Sequence, residues 1–262
     1  EALDIGAEKL VIGLGGSATN DAGAGILVAL GACLTDKQGR ELAPGGKPLS
    51  DLTNIDLCDL DERLARVNIQ VACDVKNPLY GPEGASQIFG PQKGASPEQV
   101  GQLDRALTNF ADSVFRDRGV ELQPIVGGGA AGGIAATLSG LLSAQLVSGI
   151  DLVLSLLNFD QVIRDADWVI TGEGRVDGQT LGGKTLAGVG HRAMQAGVPV
   201  IALAGEVTGS TDLLRQAGIN AVFSITSGPG SLEKALAGGH DNLVRTSSNL
   251  AAIIKAASTI TR

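Results

Sequence analysis

Apolar positions open the chain with a block at residues 9–14 (KLVIGL), mostly branched and bounded upstream by Gly6, the pattern of a buried strand. Residues 15–21 are small or polar. After them come Gly23 and Gly25, then Ile26, Leu27, Ala29 and Leu30, an apolar run long enough for a helix. A strand, a glycine loop and a helix start in this order let several backbone N–H groups face one anion. Residues 32–35 read as a short strand, 36–39 as a turn and 41–61 as loop. A further strand at 67–73 (VNIQVAC) ends at Asp74, and α/β folds often place a functional group at the carboxyl end of a strand. Ser96, Pro97 and Gln99 occupy N-cap, N1 and N3 of the next element. Val100, Leu103, Leu107, Phe110, Val114 and Phe115 then recur at helical spacing, which predicts an amphipathic helix from Pro97 to about Arg118.

Residues 134–147 are rich in small residues and predict a buried helix. From about residue 150 the rhythm shortens. Helices are expected at 159–165, 185–196, 211–217, 231–237 and 241–260, with strands at 167–171, 199–204 and 220–226. Strands separated by single helices imply a parallel sheet covered on both faces. The three strands there are too few for a full sheet. Residues 1–6 read as the last turns of a helix closed by glycine, so the chain is expected to begin inside a domain, with earlier sequence supplying the rest. The expected class is α/β, in two domains at residues 1–150 and 151–262.

Composition sharpens this. The 262 residues include 38 glycines, about twice the usual 7% share, yet 44% are hydrophobic, which excludes a disordered chain. A core of Val, Ile, Leu and Ala with one Trp, one Tyr and five Phe suits an α/β enzyme whose loops approach ligands closely. The net charge of −8, with no basic run, argues against nucleic-acid or anionic-membrane partners. Cys33, Cys58 and Cys73 are odd in number and widely spaced, which fits a reducing, cytoplasmic compartment. His191 and His240 form no zinc motif. The apolar stretch at 132–157 holds Gln145 and Asp151 and reads as buried helix rather than a membrane span.

The candidate chemistry lies in polar loops. Gly13, Gly15 and Ala18 fit the G-x-G-x-x-G/A dinucleotide fingerprint, with Asp36 near the place of a ribose-binding acid. Asn20 and Asp21, however, stand at the helix entrance, where a carboxylate repels pyrophosphate unless magnesium intervenes, so the loop favours a nucleotide phosphate with a metal over a nicotinamide. The alternative is that Ser17, Thr19 and Asn20 cap the helix. In FGPQKG, Gly90 and Gly94 bracket a Pro91 turn that presents Lys93, a point charge suited to phosphate. Gly127, Gly128 and Gly129 open GGGAAGG, where ligand approach competes with close helix packing. TGEGRVDGQTLGGKT, from Thr171, is the densest polar stretch. Gly178, Gly183, Lys184 and Thr185 satisfy the P-loop spacing, but too far beyond the strand for that geometry. Glu173 and Asp177 could hold magnesium or take a proton there, and Lys184 could meet phosphate.

Together GGSATNDAGAG, CDVKNPLYG, FGPQKGA, GGGAAGG and VITGEGRVDGQT with its following Gly-Lys resemble the type 1 glycerate kinase family, in the right order over nearly the whole chain. The resemblance implies ATP-dependent phosphorylation of D-glycerate to 2-phosphoglycerate. It implies a glycerate kinase domain (residues 1–150) inserted into a Rossmann-like or flavodoxin-like three-layer domain, of which residues 151–262 would be the C-terminal part. Under it, Asp74, Lys93, Asp177 and Lys184 are the catalytic candidates. Gly15, Gly16, Ser17, Thr19, Asn20, Gly127, Gly128, Gly129, Thr171, Gly172 and Gly174 would bind substrate or nucleotide. Asp21 and Glu173 would bear on Mg2+. The partners expected are ATP and D-glycerate, with no nucleic acid and no membrane. The family's opening strand and its lysine-bearing loop have no counterpart here, so a non-catalytic binding protein or regulator is the alternative reading, and 3-phosphoglycerate the alternative product.

Overall fold

The structure is a computed structural model that describes residues 1–176, 184–208 and 211–260. They belong to two compact units, Glu1–Gly149 and Ile150–Arg262. The class is mixed α/β with parallel sheets. Among the described residues no helix is long and apolar enough to cross a membrane.

The first unit runs β1 (Lys9–Gly13), α1 (Ala24–Ala29), β2 (Cys33–Thr35), β3 (Asn54–Asp56), β4 (Asn68–Ala72), α2 (Ala85–Phe89), α3 (Pro97–Arg118), α4 (Ile134–Leu142) and β5 (Gln145–Val147). Strands β1, β4 and β5 form a parallel sheet in the order β1-β4-β5, with Gly13 opposite Ala72 and Ala72 opposite Val147. That register brings the three carboxyl ends level, so the segments leaving them emerge along one edge. Ile69 and Val71 of β4 pack with Leu138 of α4, Ala144, Leu10, Ile12 and Ile26.

Helix α3 is built as its sequence suggests. The Ser96 hydroxyl accepts from the Gln99 amide, the Gln99 side chain accepts from the Ser96 amide, and Pro97 fills the first turn. Its buried stripe, including Leu107, Phe110 and Val114, packs against Leu27, Leu34, Leu49 and Ile55. Full burial of a side chain such as Phe110 contributes roughly 1.5–3 kcal/mol.

The second unit contains α5 (Gly149–Leu156, its first residue at the boundary), α6 (Phe159–Val162), β6 (Val169–Val176), α7 (Lys184–Gln195), β7 (Val200–Val207), α8 (Thr211–Gln216), β8 (Ala221–Ser224), α9 (Leu232–Ala237) and α10 (Gly239–Ile260). Its three strands are parallel in the order β6-β7-β8. Alternate residues of β7 face opposite sides. Val200, Ala202 and Ala204 pack with Leu186, Val189 and Ala193 of α7, while Ile201 and Leu203 pack with Leu250 and Ile254 of α10.

Residues 134–147 are not one helix. Helix α4 ends at Leu142, and Gln145–Val147 pairs with β4 as an edge strand. Thr171, Gly172, Glu173 and Gly174 are not in a loop after the strand but inside β6, which runs on to Val176. Their composition reads as loop, yet the long apolar strand β7 extends the ladder, setting Gly172 opposite Leu203 and Glu173 opposite Ala204. The expected helix at 159–165 is the single turn α6. Asp36 does not follow a strand beside β1, whose neighbour is β4. It follows β2 of an antiparallel pair, and its carboxylate accepts from Arg40 at 2.7 and 2.9 Å. Among the described residues, the Gly13–Ala18 loop and Asp36 therefore do not form the dinucleotide-binding arrangement.

Candidate active site

A cavity of about 250 Å³ lies at the carboxyl edge of the β1-β4-β5 sheet. Gly15, Gly16 and Ser17 reach it from the end of β1, Cys73 and Asp74 from the end of β4, and Lys93 from the turn after α2. A larger cavity of about 600 Å³ lies between residues 36–51 and α3, but acids and bases are mixed along its wall and Arg40 already neutralises Asp36.

The loop after β1 leaves backbone donors uncommitted. Gly16 has φ +69°, a conformation that costs other residues strain, and a Cβ on Gly15 or Gly16 would meet open space. The amides of Gly15, Gly16 and Ser17 donate to no acceptor among the described residues. Three N–H donors thus stand open beside the cavity, the condition for holding a carboxylate or phosphate oxygen.

Lys93 closes the other side. It ends the short turn Pro91–Lys93, held by the Lys93 amide donating to Gly90 O, and its Nζ donates to the Thr19 carbonyl at 2.6 Å. Burial pushes the ammonium below the ordinary lysine value, and the Asp21 carboxylate opposes that shift. Asp74 is fixed from the third strand end, its Oδ1 accepting from the Gly149 amide at 3.0 Å. One cation, three amides and one carboxylate can hold an anion and orient a hydroxyl beside it.

The other predicted residues of the first unit do not line this cavity. Thr19 Oγ1 donates to Asp21 Oδ1 at 2.8 Å, and Asp21 also accepts from the amides of Gly23 at 3.0 Å and Gly25 at 3.3 Å. Asp21 thus braces the start of α1, and its carboxylate is engaged by its own turn. Asn20 does not cap that helix. Its Nδ2 reaches across to Ser86 Oγ at 2.8 Å. Gly127 packs against Cys73 Sγ, Gly128 against the Ile125 carbonyl and Gly129 against the Pro78 carbonyl, so these three serve close packing, while the next residues, Ala130 and Ala131, line the cavity. Thr171, Gly172, Glu173 and Gly174 belong to the second unit. Asp177 and the side chain of Lys184 lie outside the described residues. Among the described residues no three His, Cys, Asp or Glu side chains gather as a metal site.

Sequence reasoning missed Gln92, Phe89 and the cavity face of Cys73, all of which line the cavity. Gln92 and Phe89 stand in the FGPQKG motif beside Lys93, and Cys73 precedes Asp74, so motif membership was the signal.

The glycerate kinase family model matches residues 1–255. The chain belongs to the glycerate kinase family. It is 48% identical over 259 residues to glycerate kinase of Bacillus subtilis (strain 168), a match covering 99% of this chain and 68% of that one. It is 46% identical over 254 residues to glycerate 2-kinase of Escherichia coli (strain K12), covering 97% and 67%. A crystal structure assigned as a glycerate kinase 2 from Salmonella typhimurium LT2 superposes with a TM-score of 0.80 at 47% identity, covering 98% of this chain and 66% of that one. The chain thus spans about two thirds of the length of its family relatives.

Proposed function

We propose that this protein transfers the γ-phosphoryl group of ATP to D-glycerate, giving 2-phosphoglycerate. The observation that carries the reading is the meeting of the Gly15–Ser17 amides, Lys93 and Asp74 in one cavity of about 250 Å³. That volume lies below the usual range for drug-sized ligands and suits a three-carbon acid. Membership of the glycerate kinase family supports the substrate, and the name of the E. coli relative, glycerate 2-kinase, supports the 2-hydroxyl as acceptor.

In this reading the open amides and Lys93 hold the negative charge of the acid or of the transferring group. Asp74 orients the attacking hydroxyl and draws its proton, so that the oxygen meets phosphorus as a stronger nucleophile. Phosphoryl transfer needs little covalent participation from protein, and placement with charge stabilisation does most of the work. On motif membership Asp177 is the alternative to Asp74 for positioning the hydroxyl, and Lys184 joins Lys93 in stabilising the transferring charge. Magnesium belongs to the proposal as the ion chelated by the triphosphate. Asp21, whose carboxylate also accepts from the amides of Gly23 and Gly25, and Glu173, on β6, are the residues assigned to bear on it, on motif membership.

Coupled ADP release with D-glycerate, followed by 31P NMR of the product, tests this. Glycerate-dependent ADP and a 2-phosphoglycerate signal are expected. Binding of ATP-magnesium and glycerate without ADP release would support the non-catalytic alternative, and a 3-phosphoglycerate signal would reassign the hydroxyl.

A further inference from the structure

The loop that offers its amides to the cavity has no regular secondary structure from residue 14 to residue 20, yet anion binding requires its N–H groups to stay aimed. Two of its last peptides are wedged between glycines. A Cβ on Gly132 would lie 2.2 Å from the Thr19 carbonyl oxygen, and one on Gly46 would lie 2.0 Å from the Asn20 carbonyl oxygen. Two side-chain bonds then tie the loop to one segment, residues 86–93. Lys93 Nζ holds Thr19 O at 2.6 Å, and Ser86 Oγ holds Asn20 Nδ2 at 2.8 Å.

Ser86 is fully buried on α2, and Asn20 Nδ2 is its hydroxyl's partner. Neither Ser86 nor Asn20 lines the cavity. On the other side of the same amide, Asn20 Oδ1 is buried without a hydrogen-bond partner. A buried amide with one oxygen already unpaired tolerates no further loss, so the Ser86 bond is what keeps the Asn20 side chain inside rather than rotated toward water.

We propose that Ser86 and Asn20 are a positioning pair, which fixes the Gly15–Ser17 amides over the cavity without touching the ligand. The proposal rests on the reading of that cavity as the substrate site. Because the pair acts on the pre-set shape of the loop, its loss weakens capture of the acid more than it slows the chemical step.

The test is a cycle of Asn20→Ala, Ser86→Ala and the double variant in the full-length enzyme, with kcat and KM for D-glycerate and the melting temperature of each. The expected result is KM raised about tenfold in each single variant, kcat within about twofold of wild type, and a double variant no worse than either single. Effects that multiply in the double variant, or KM unchanged while only the melting temperature falls, would overturn the pairing. If one variant fails to fold, the other carries the same KM prediction. A second measurement needs no turnover: the backbone amide resonances of Gly15, Gly16 and Ser17 shift or broaden in Ser86→Ala if the pair positions the loop, and stay in place if it does not. Absence of glycerate turnover in the wild type would remove the proposed function, and the resonance test would still decide the positioning role.

Discussion

The Lys93 ammonium and the Thr19 carbonyl oxygen are 2.6 Å apart, although the residues are 74 positions apart in the chain. This bond joins two glycine-bounded turns whose separate sequences only suggest an affinity for anions. It also sets the electrostatics of the cavity. A carbonyl carries only a partial charge, so it compensates the ammonium incompletely for lost water, and burial outweighs the help of Asp21.

A pH dependence follows. Under the proposed function Lys93 stabilises an anion only while protonated, so kcat/KM should fall on the alkaline side at a lower pH than an ordinary lysine would give. Stability moves the other way. The folded-state value is depressed, so the unfolded chain binds more protons between the lowered and the ordinary lysine values, and stability rises with pH through that window. A pH profile of kcat/KM beside denaturant midpoints should show the two trends crossing, and Lys93→Met should abolish both.

Gly132 faces Thr19 from the other side. It has φ +68°, and an added Cβ would lie 2.2 Å from the Thr19 carbonyl oxygen, a backbone atom that cannot swing aside. Gly132→Ala combines left-handed strain of about 1–2 kcal/mol with a clash, so a loss of at least about 2 kcal/mol is expected in urea denaturation, with a raised KM for glycerate.

Ser113 is a contrasting buried serine. Its Oγ on α3 has no hydrogen-bond partner, and the residue is fully buried. Ser113→Ala removes an uncompensated polar group, so stability should rise by about 1 kcal/mol with kcat and KM unchanged.

How much was legible in the chain differs by element. Helix α3 was readable because its start carries three capping signals and its apolar residues recur over several turns. The motifs at Gly15–Ser17, Asp74 and Lys93 were readable because glycine and proline mark turns and isolated charges stand out there. Ser86 was not. It lies inside a five-residue helix, and its significance comes from a partner 66 positions away. Strand β5 hid in an apolar run because three residues show no period. Thr171 to Gly174 resembled a loop because pairing with β7, rather than local composition, extends the strand. At Asp21 a carboxylate in a glycine turn reads equally as metal ligand or turn brace, and its contacts with Thr19 and Gly23 show only in the fold.

The central claim is that the cavity where Asp74 meets the Gly15–Ser17 amides and Lys93 is where the glycerate hydroxyl is activated. Steady-state kcat of Asp74→Asn, an isosteric change that keeps an acceptor for the Gly149 amide, tests it most directly. The account predicts a fall in kcat of about 10²–10⁴ with circular dichroism and melting temperature preserved. A kcat near that of the wild type would contradict it.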